Sequence, residues 1–100
     1  MPTTPKILRR AAAATSSGTL YTTPSATTTI VTEITVVNTS GSSATFSIAL
    51  DGIDLFSSLS IAANTTTTYS MKQVLTATKL ITGSASVTDV NFFIAGVEIA

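Results

Sequence analysis

The stretch TTIVTEITVVN, residues 28–38, decides the fold. Nine of its eleven residues are β-branched, and such side chains are stiff at χ1 and fit a pleated sheet better than a helix. The apolar period is two. Ile30, Thr32, Ile34 and Val36 point one way; Val31, Glu33, Thr35 and Val37 point the other. The first set reads as the core face. Val31 and Val37 keep the second face from being fully solvated.

The same period continues on both sides. NTSGSS at 38–43 is a turn signal. Ala44 to Leu50 follows as a strand with Phe46, Ile48 and Leu50 inward. Asp51-Gly52 fits a two-residue hairpin turn, in which both central positions take positive φ. Ile53 to Phe56 returns, and Leu59 and Ile61 form another short apolar stretch. Ala63-Asn64 is the next turn. Thr65 to Leu75 reads as a strand because a Thr run is a poor helix, with Met71 to Leu75 open to a brief helical turn. Lys79 to Ser86 is a strand whose Gly83 marks a bulge or a close backbone approach. Upstream, Leu20 and Tyr21 open a short strand that ends at Pro24. Seven or eight short strands with frequent turns define an all-β chain, a single antiparallel β-sandwich of jelly-roll or Ig-like type.

Val90 to Ile99 closes the domain and is apolar on both faces. Phe92 and Ile94 oppose Phe93, Val97 and Ile99. Either another chain covers the second set, or the strand lies in the centre of its sheet under a loop. The first alternative makes Phe93, Val97 and Ile99 the contact with a further copy or a partner chain.

Composition excludes most chemistry. The chain has no His, no Cys and no Trp, five basic and five acidic residues, and about a third Ser plus Thr. Nucleophilic catalysis needs a base beside the nucleophile, and no motif places a lysine there. Asp51 and Asp54 are the only close acid pair, and Asp51 belongs to a turn. Neither a Ca²⁺ ligand set nor a phosphate-cradling Gly-rich loop is present. The expectation is a binding or building part: not an enzyme, with no catalytic residue, no cofactor and no metal. Asn38-Thr39-Ser40 and Asn64-Thr65-Thr66 match the glycosylation acceptor pattern and mark two exposed turns. No run of about 18 apolar residues reads as a membrane span.

One hundred residues make one domain, and one this small has only a thin core. Without Cys, oligomerisation is the route to added stability. Charge is uneven. Lys6, Arg9 and Arg10 precede any acid, while residues 19–100 hold five acids against two lysines, a net charge of −3. Three cations fall short of a nucleic-acid footprint. Residues 1–18 read as an extended basic N-terminal arm and 19–100 as the sandwich. Pro2 and Pro5 disfavour regular structure at the start, and Lys6 to Ala14 contains good helix formers enough for two turns. The arm spans at most about 50–60 Å, so Lys6, Arg9 and Arg10 are the expected partner-binding residues.

The segments LYTTPSATTTIVTEITVVNTSGSSATFSIALDG (20–52) and SIAANTTTTYSMKQVLTATKLITGSASVTDVNFFIAGVEI (60–99) carry a resemblance. An opening LY..P, a long Ile/Val/Thr strand ending in N.....A.F.I...G, an IAA..T turn and a closing GVE resemble small β-sandwich virion proteins of tailed bacteriophages. The stretch TATKLITGSAS (76–86) departs from the commoner form, in which Gly-Asp precedes the strand. The resemblance implies a structural role: a capsid decoration (cement) protein on the outer surface of the virion, bridging and stabilising the major capsid protein. A tail, neck or fibre accessory protein is the alternative of the same class. A carbohydrate-binding module is the alternative of another class, with Tyr21 and Tyr69 as its available aromatics. The expected partners are the major capsid protein and further copies of the chain, as dimer or trimer, with no nucleic acid and no membrane.

Overall fold

The computed structural model describes residues 3–100. Eight strands follow in order: β1 (Thr3–Ala12), β2 (Gly18–Thr22), β3 (Thr28–Asn38), β4 (Ala44–Leu50), β5 (Ile53–Ile61), β6 (Thr65–Leu75), β7 (Leu80–Ala85) and β8 (Val90–Ile99). All pairings are antiparallel. One sheet has the order β1-β8-β3-β6 and the other β2-β7-β4-β5. The protein is a β-sandwich. Its pairs nest: β4 with β5, β3 with β6, β2 with β7 and β1 with β8, alternate pairs lying in opposite sheets. This is one long antiparallel ribbon rolled on itself, the jelly-roll connectivity.

The core lies between the sheets. Phe46 of β4 meets Phe56 of β5 at 5.6 Å between ring centroids and Phe92 of β8 at 6.1 Å, both edge to face. Tyr69 of β6 closes the cluster, 4.6 Å from Phe56. Ile34, Ile48, Ile81 and Ile94 fill the space around these rings and are fully buried. The predicted hairpin turn is present, with φ of 53° at Asp51 and 77° at Gly52. Gly83 shows the anticipated close approach: a Cβ there would lie 2.8 Å from the Ser47 carbonyl oxygen.

Four expectations are corrected. First, residues 3–12 are not an arm. They form β1, paired along β8 from Thr3↔Ile99 to Ala12↔Asn91. The helix expected over Lys6 to Ala14 is absent because β8 offers an unpaired edge, and pairing there outweighs local propensity. Pro5 is tolerated because β1 is itself an edge strand. Pro2, at the start of the expected arm, lies outside the described residues.

Second, β3 does not alternate throughout. Its register shifts between Val31 and Glu33 against both β6 and β8. The extra residue reverses the faces. Thr29 and Val31 are buried before the bulge and Ile34, Val36 and Asn38 after it, so Ile30 and Thr32 leave the core. Third, Met71 to Leu75 continues β6 as a strand. Fourth, Asn38 is no exposed acceptor. It is fully buried, its amide donating to the carbonyls of Ser42 at 2.9 Å, Ala62 at 3.2 Å and Ile61 at 3.3 Å. Its Oδ1 accepts from the Ser40 amide at 3.0 Å, so this Asn ties β3 to the end of β5.

Gly96 sits where three strands converge. A Cβ on it would collide with the Ile30 carbonyl oxygen and lie 2.9 Å from Leu8 Cδ1. Gly96→Ala is expected to lower stability by about 2 kcal/mol or more, because backbone must move to admit it. Gly41→Ala, where nothing lies within 4 Å, is the control and should stay within about 0.5 kcal/mol. Urea denaturation of the two variants reads the difference.

Candidate functional site: the outer face of the β1-β8-β3-β6 sheet

The two outer faces of the sandwich differ in chemistry. On the β2-β7-β4-β5 sheet the outward positions are mostly hydroxylic, with Leu80 of β7 and, along β5, Ile53 and Leu59 as its exposed large apolar side chains. Ser47 faces Ser84, Ala49 faces Thr82 and Thr45 faces Ser60. On the other sheet a row of apolar residues crosses all four strands. Pro5 of β1 faces Val97 of β8, Val97 faces Ile30 of β3, and Ile30 faces Val74 of β6. Ile99 lies beside this row, opposite Thr3 and Thr28. Ile7 faces Ala95 on the other side. Val74 is 60% exposed and Ile7 48%. Between β1, β8 and Thr32 runs a shallow groove of about 400 Å³, lined by Pro5, Lys6, Ile7, Thr32, Ala95, Gly96 and Val97.

Phe93 stands one step further along β8, opposite Arg10 of β1 and Thr35 of β3. The Arg10 guanidinium carbon lies 6.0 Å from the Phe93 ring centroid, within reach of a cation–π contact. Thr35 and Thr68 hydroxyls meet at 3.1 Å at the β6 side. The structure thus places Phe93, Val97 and Ile99 on one surface, together with Arg10. β8 is a central strand, flanked by β1 and β3, yet its outward side chains are left uncovered, with Phe93 36% exposed.

Lys6 borders the groove, and Arg9 falls outside this surface. Lys6 pairs with Glu98 at 3.3 Å, and Arg9 is exposed at the register shift between Ile7 and Arg9. Sequence reading missed Ile30, Val74, Pro5 and Ile7 as parts of this surface. The available signal was the apolar pair Val31 and Ile34, three apart, which strict alternation cannot bury on one face.

Glu98 belongs to a polar network that closes one end of the sandwich. The Tyr21 hydroxyl of β2 donates to the Glu98 carboxylate, and Thr29 of β3 donates to the Tyr21 oxygen at 2.9 Å. Tyr21 therefore joins the two sheets. Burial, then the hydrogen bond to Glu98, push its hydroxyl up to about 12 against a mild lowering by Thr29. Tyr69 is packed in the aromatic cluster. Both tyrosines face inward, which removes the two aromatics available for stacking on a sugar.

The second concavity, about 360 Å³, lies among Asp51, Gly52, Thr78, Lys79, Leu80 and Thr82. Its ion pair, Lys79 to Asp51 at 3.7 Å, has both side chains about half exposed, so it contributes little. Among the described residues no group of three or more His, Cys, Asp or Glu is placed to hold a metal ion.

No family model matches the chain, and no curated protein sequence is similar to it. Among solved structures it is similar to the EclA C-terminal domain, a sugar-binding protein, with a TM-score of 0.47 and 20% identity over 96% of this chain and 75% of that one. It is also similar to two structures of pentameric capsid proteins isolated from metagenomic phage sequences. Their TM-scores are 0.38 and 0.28, each at 15% identity over 96% of this chain. The chain spans 59% and 60% of those capsid chains.

The Tyr21 network makes stability fall at high pH. The folded state holds the Tyr21 proton to about 12, while the unfolded chain releases it near the ordinary tyrosine value of about 10. Between those values the unfolded state binds fewer protons, so stability is lost as pH rises. Denaturation midpoints measured from pH 9 to 12 should decline for the native protein. Tyr21→Phe should start from lower stability, having lost the link to Glu98, and should lack this component of the decline.

Proposed function

We propose that this protein is a structural component of a tailed-bacteriophage virion, a head decoration (cement) protein. It binds the major capsid protein on the outer surface of the shell through the outer face of its β1-β8-β3-β6 sheet. The observation that carries this reading is the inequality of the two outer faces. A row from Pro5 through Val97 and Ile30 to Val74, with Phe93 beside it, is apolar; the opposite face is mostly Ser and Thr. Contiguous exposed apolar patches mark interaction surfaces. The resemblance from Leu20 to Ile99 to phage virion sandwiches supplies the kind of partner.

The mode of action follows from binding alone. A protein that bridges shell subunits adds its binding free energy to the stability of the assembled state by mass action. It needs many copies and no turnover. Copies of the chain associate as dimers or trimers at the capsid, with a trimer matching sites of threefold symmetry. Arg10, held over Phe93, puts a cation at the border of the apolar surface and favours an acidic rim on the partner.

Heads depleted of the protein are expected to keep their shape but burst at lower temperature, and added protein should restore them. Phe93→Asp should bind depleted heads at least about thirtyfold more weakly, the loss of an interface anchor worth about 2 kcal/mol. Its circular dichroism should be unchanged, since Phe93 faces outward. Depleted heads of unchanged thermal stability that fail to adsorb to cells would transfer the role to the tail, neck or fibre. Restoration by Phe93→Asp at native affinity would remove this face from the contact.

A further inference from the structure

We infer that β1 is an exchangeable strand, and that two copies of this chain join by each placing its β1 on the β8 edge of the other. This goes beyond the capsid reading and does not depend on it. Among the ten residues of β1 only Leu8 is buried and Ala11 half-buried. The remaining hold on the body is a main-chain ladder to β8, the Lys6–Glu98 ion pair and the exposed contact of Arg10 over Phe93. An element with so few buried contacts lies at the low end of local stability and opens first.

The vacated edge admits little else. Without β1, β8 would present a long apolar strand with unpaired backbone groups, an edge that recruits another strand. Its shape is specific to β1. Gly96 leaves the room that Leu8 fills, and Glu98 meets Lys6. A second copy carries the same Leu8 and Lys6 at the same spacing, so every contact is remade on exchange. The balance between closed and exchanged forms then rests on the hinge and on concentration.

The hinge is short and exposed. The Ala13 amide donates to the Val90 carbonyl at 2.7 Å, and the Ala85 amide donates to the Ala14 carbonyl at 2.9 Å. Between that anchor and β2 lie Thr15, Ser16 and Ser17, all exposed, and then Gly18, around which nothing would obstruct a side chain. Short connections of this kind favour exchange between copies over closure.

The chain has no cysteine, so an engineered pair reports cleanly. Ala12 and Asn91 face each other across β1 and β8, at a separation a disulfide spans. Ala12→Cys with Asn91→Cys is refolded reduced at low and at high protein concentration, then oxidised and run on a non-reducing gel. Exchange predicts monomer bands from the dilute sample and bands of two or more chains from the concentrated one, all collapsing to monomer on reduction. Thr35→Cys with Thr68→Cys, facing each other on β3 and β6, is the control and should stay monomeric throughout. If the first pair fails to fold, Ile7→Cys with Ala95→Cys reads the same ladder. Adding Phe93→Asp should leave the cross-linked bands in place, which separates exchange from association through the outer face. Monomer bands at every concentration, or multimers equally from the control pair, would overturn the inference.

Discussion

The sandwich depends on the missing side chain of Gly96. β8 lies between β1 and β3, and both neighbours shift register at the same level, beside Ala95. With no Cβ at 96, the Ile30 carbonyl comes close from one side and Leu8 drops over the strand from the other. Leu8 is thereby the one large side chain of β1 in the core. The two bulges shift register on both sides of β8. Dense contact of backbone on backbone at this point fixes the register of three strands at once, and register decides which residues face water.

The exposed surface follows from that register. Because β3 gains a residue between Val31 and Glu33, Val31 and Ile34 both enter the core and Ile30 is turned out. Ile30 then aligns with Val97 and Val74 rather than with the interior. A strictly alternating β3 would have buried Ile30 and put Val31 outside. The same constraint that packs the core therefore assembles the apolar row on which the proposed attachment rests. The opposite sheet, whose outward pairs are Ser47 with Ser84 and Ala49 with Thr82, carries no comparable row.

The sequence revealed period and punctuation well, and long-range register poorly. β3, β4 and β8 are legible to the residue, β3 and β4 because their apolar runs end at Asn and Asp turns, whereas the last five residues of β6 read equally as a helical turn. The Asp51-Gly52 turn declares itself because few residues accept positive φ twice in succession. Three features stayed hidden for a common reason. β1 contains KILRRAA, helix-forming by composition, and becomes a strand only because β8 has an open edge. The β3 bulge depends on partners some 40 and 65 residues away in sequence. Asn38 reads as a turn residue, and its burial follows from carbonyls at Ser42, Ile61 and Ala62 that converge only in the folded chain. Of the proposed site, Phe93, Val97 and Ile99 were legible because one strand was apolar on both faces. Ile30 and Val74 were not, because a bulge moved them.

The central claim is that the protein attaches by the outer face of the β1-β8-β3-β6 sheet. Hydroxyl-radical footprinting of the free protein and of the protein bound to heads measures this directly. The exposed reporters are Val74 and Phe93 on that face, and Ile53 and Leu59 on β5 of the other sheet. Protection of Val74 and Phe93 on attachment, with Ile53 and Leu59 still reactive, is the predicted result. Protection of Ile53 and Leu59 with Val74 and Phe93 unchanged would contradict it.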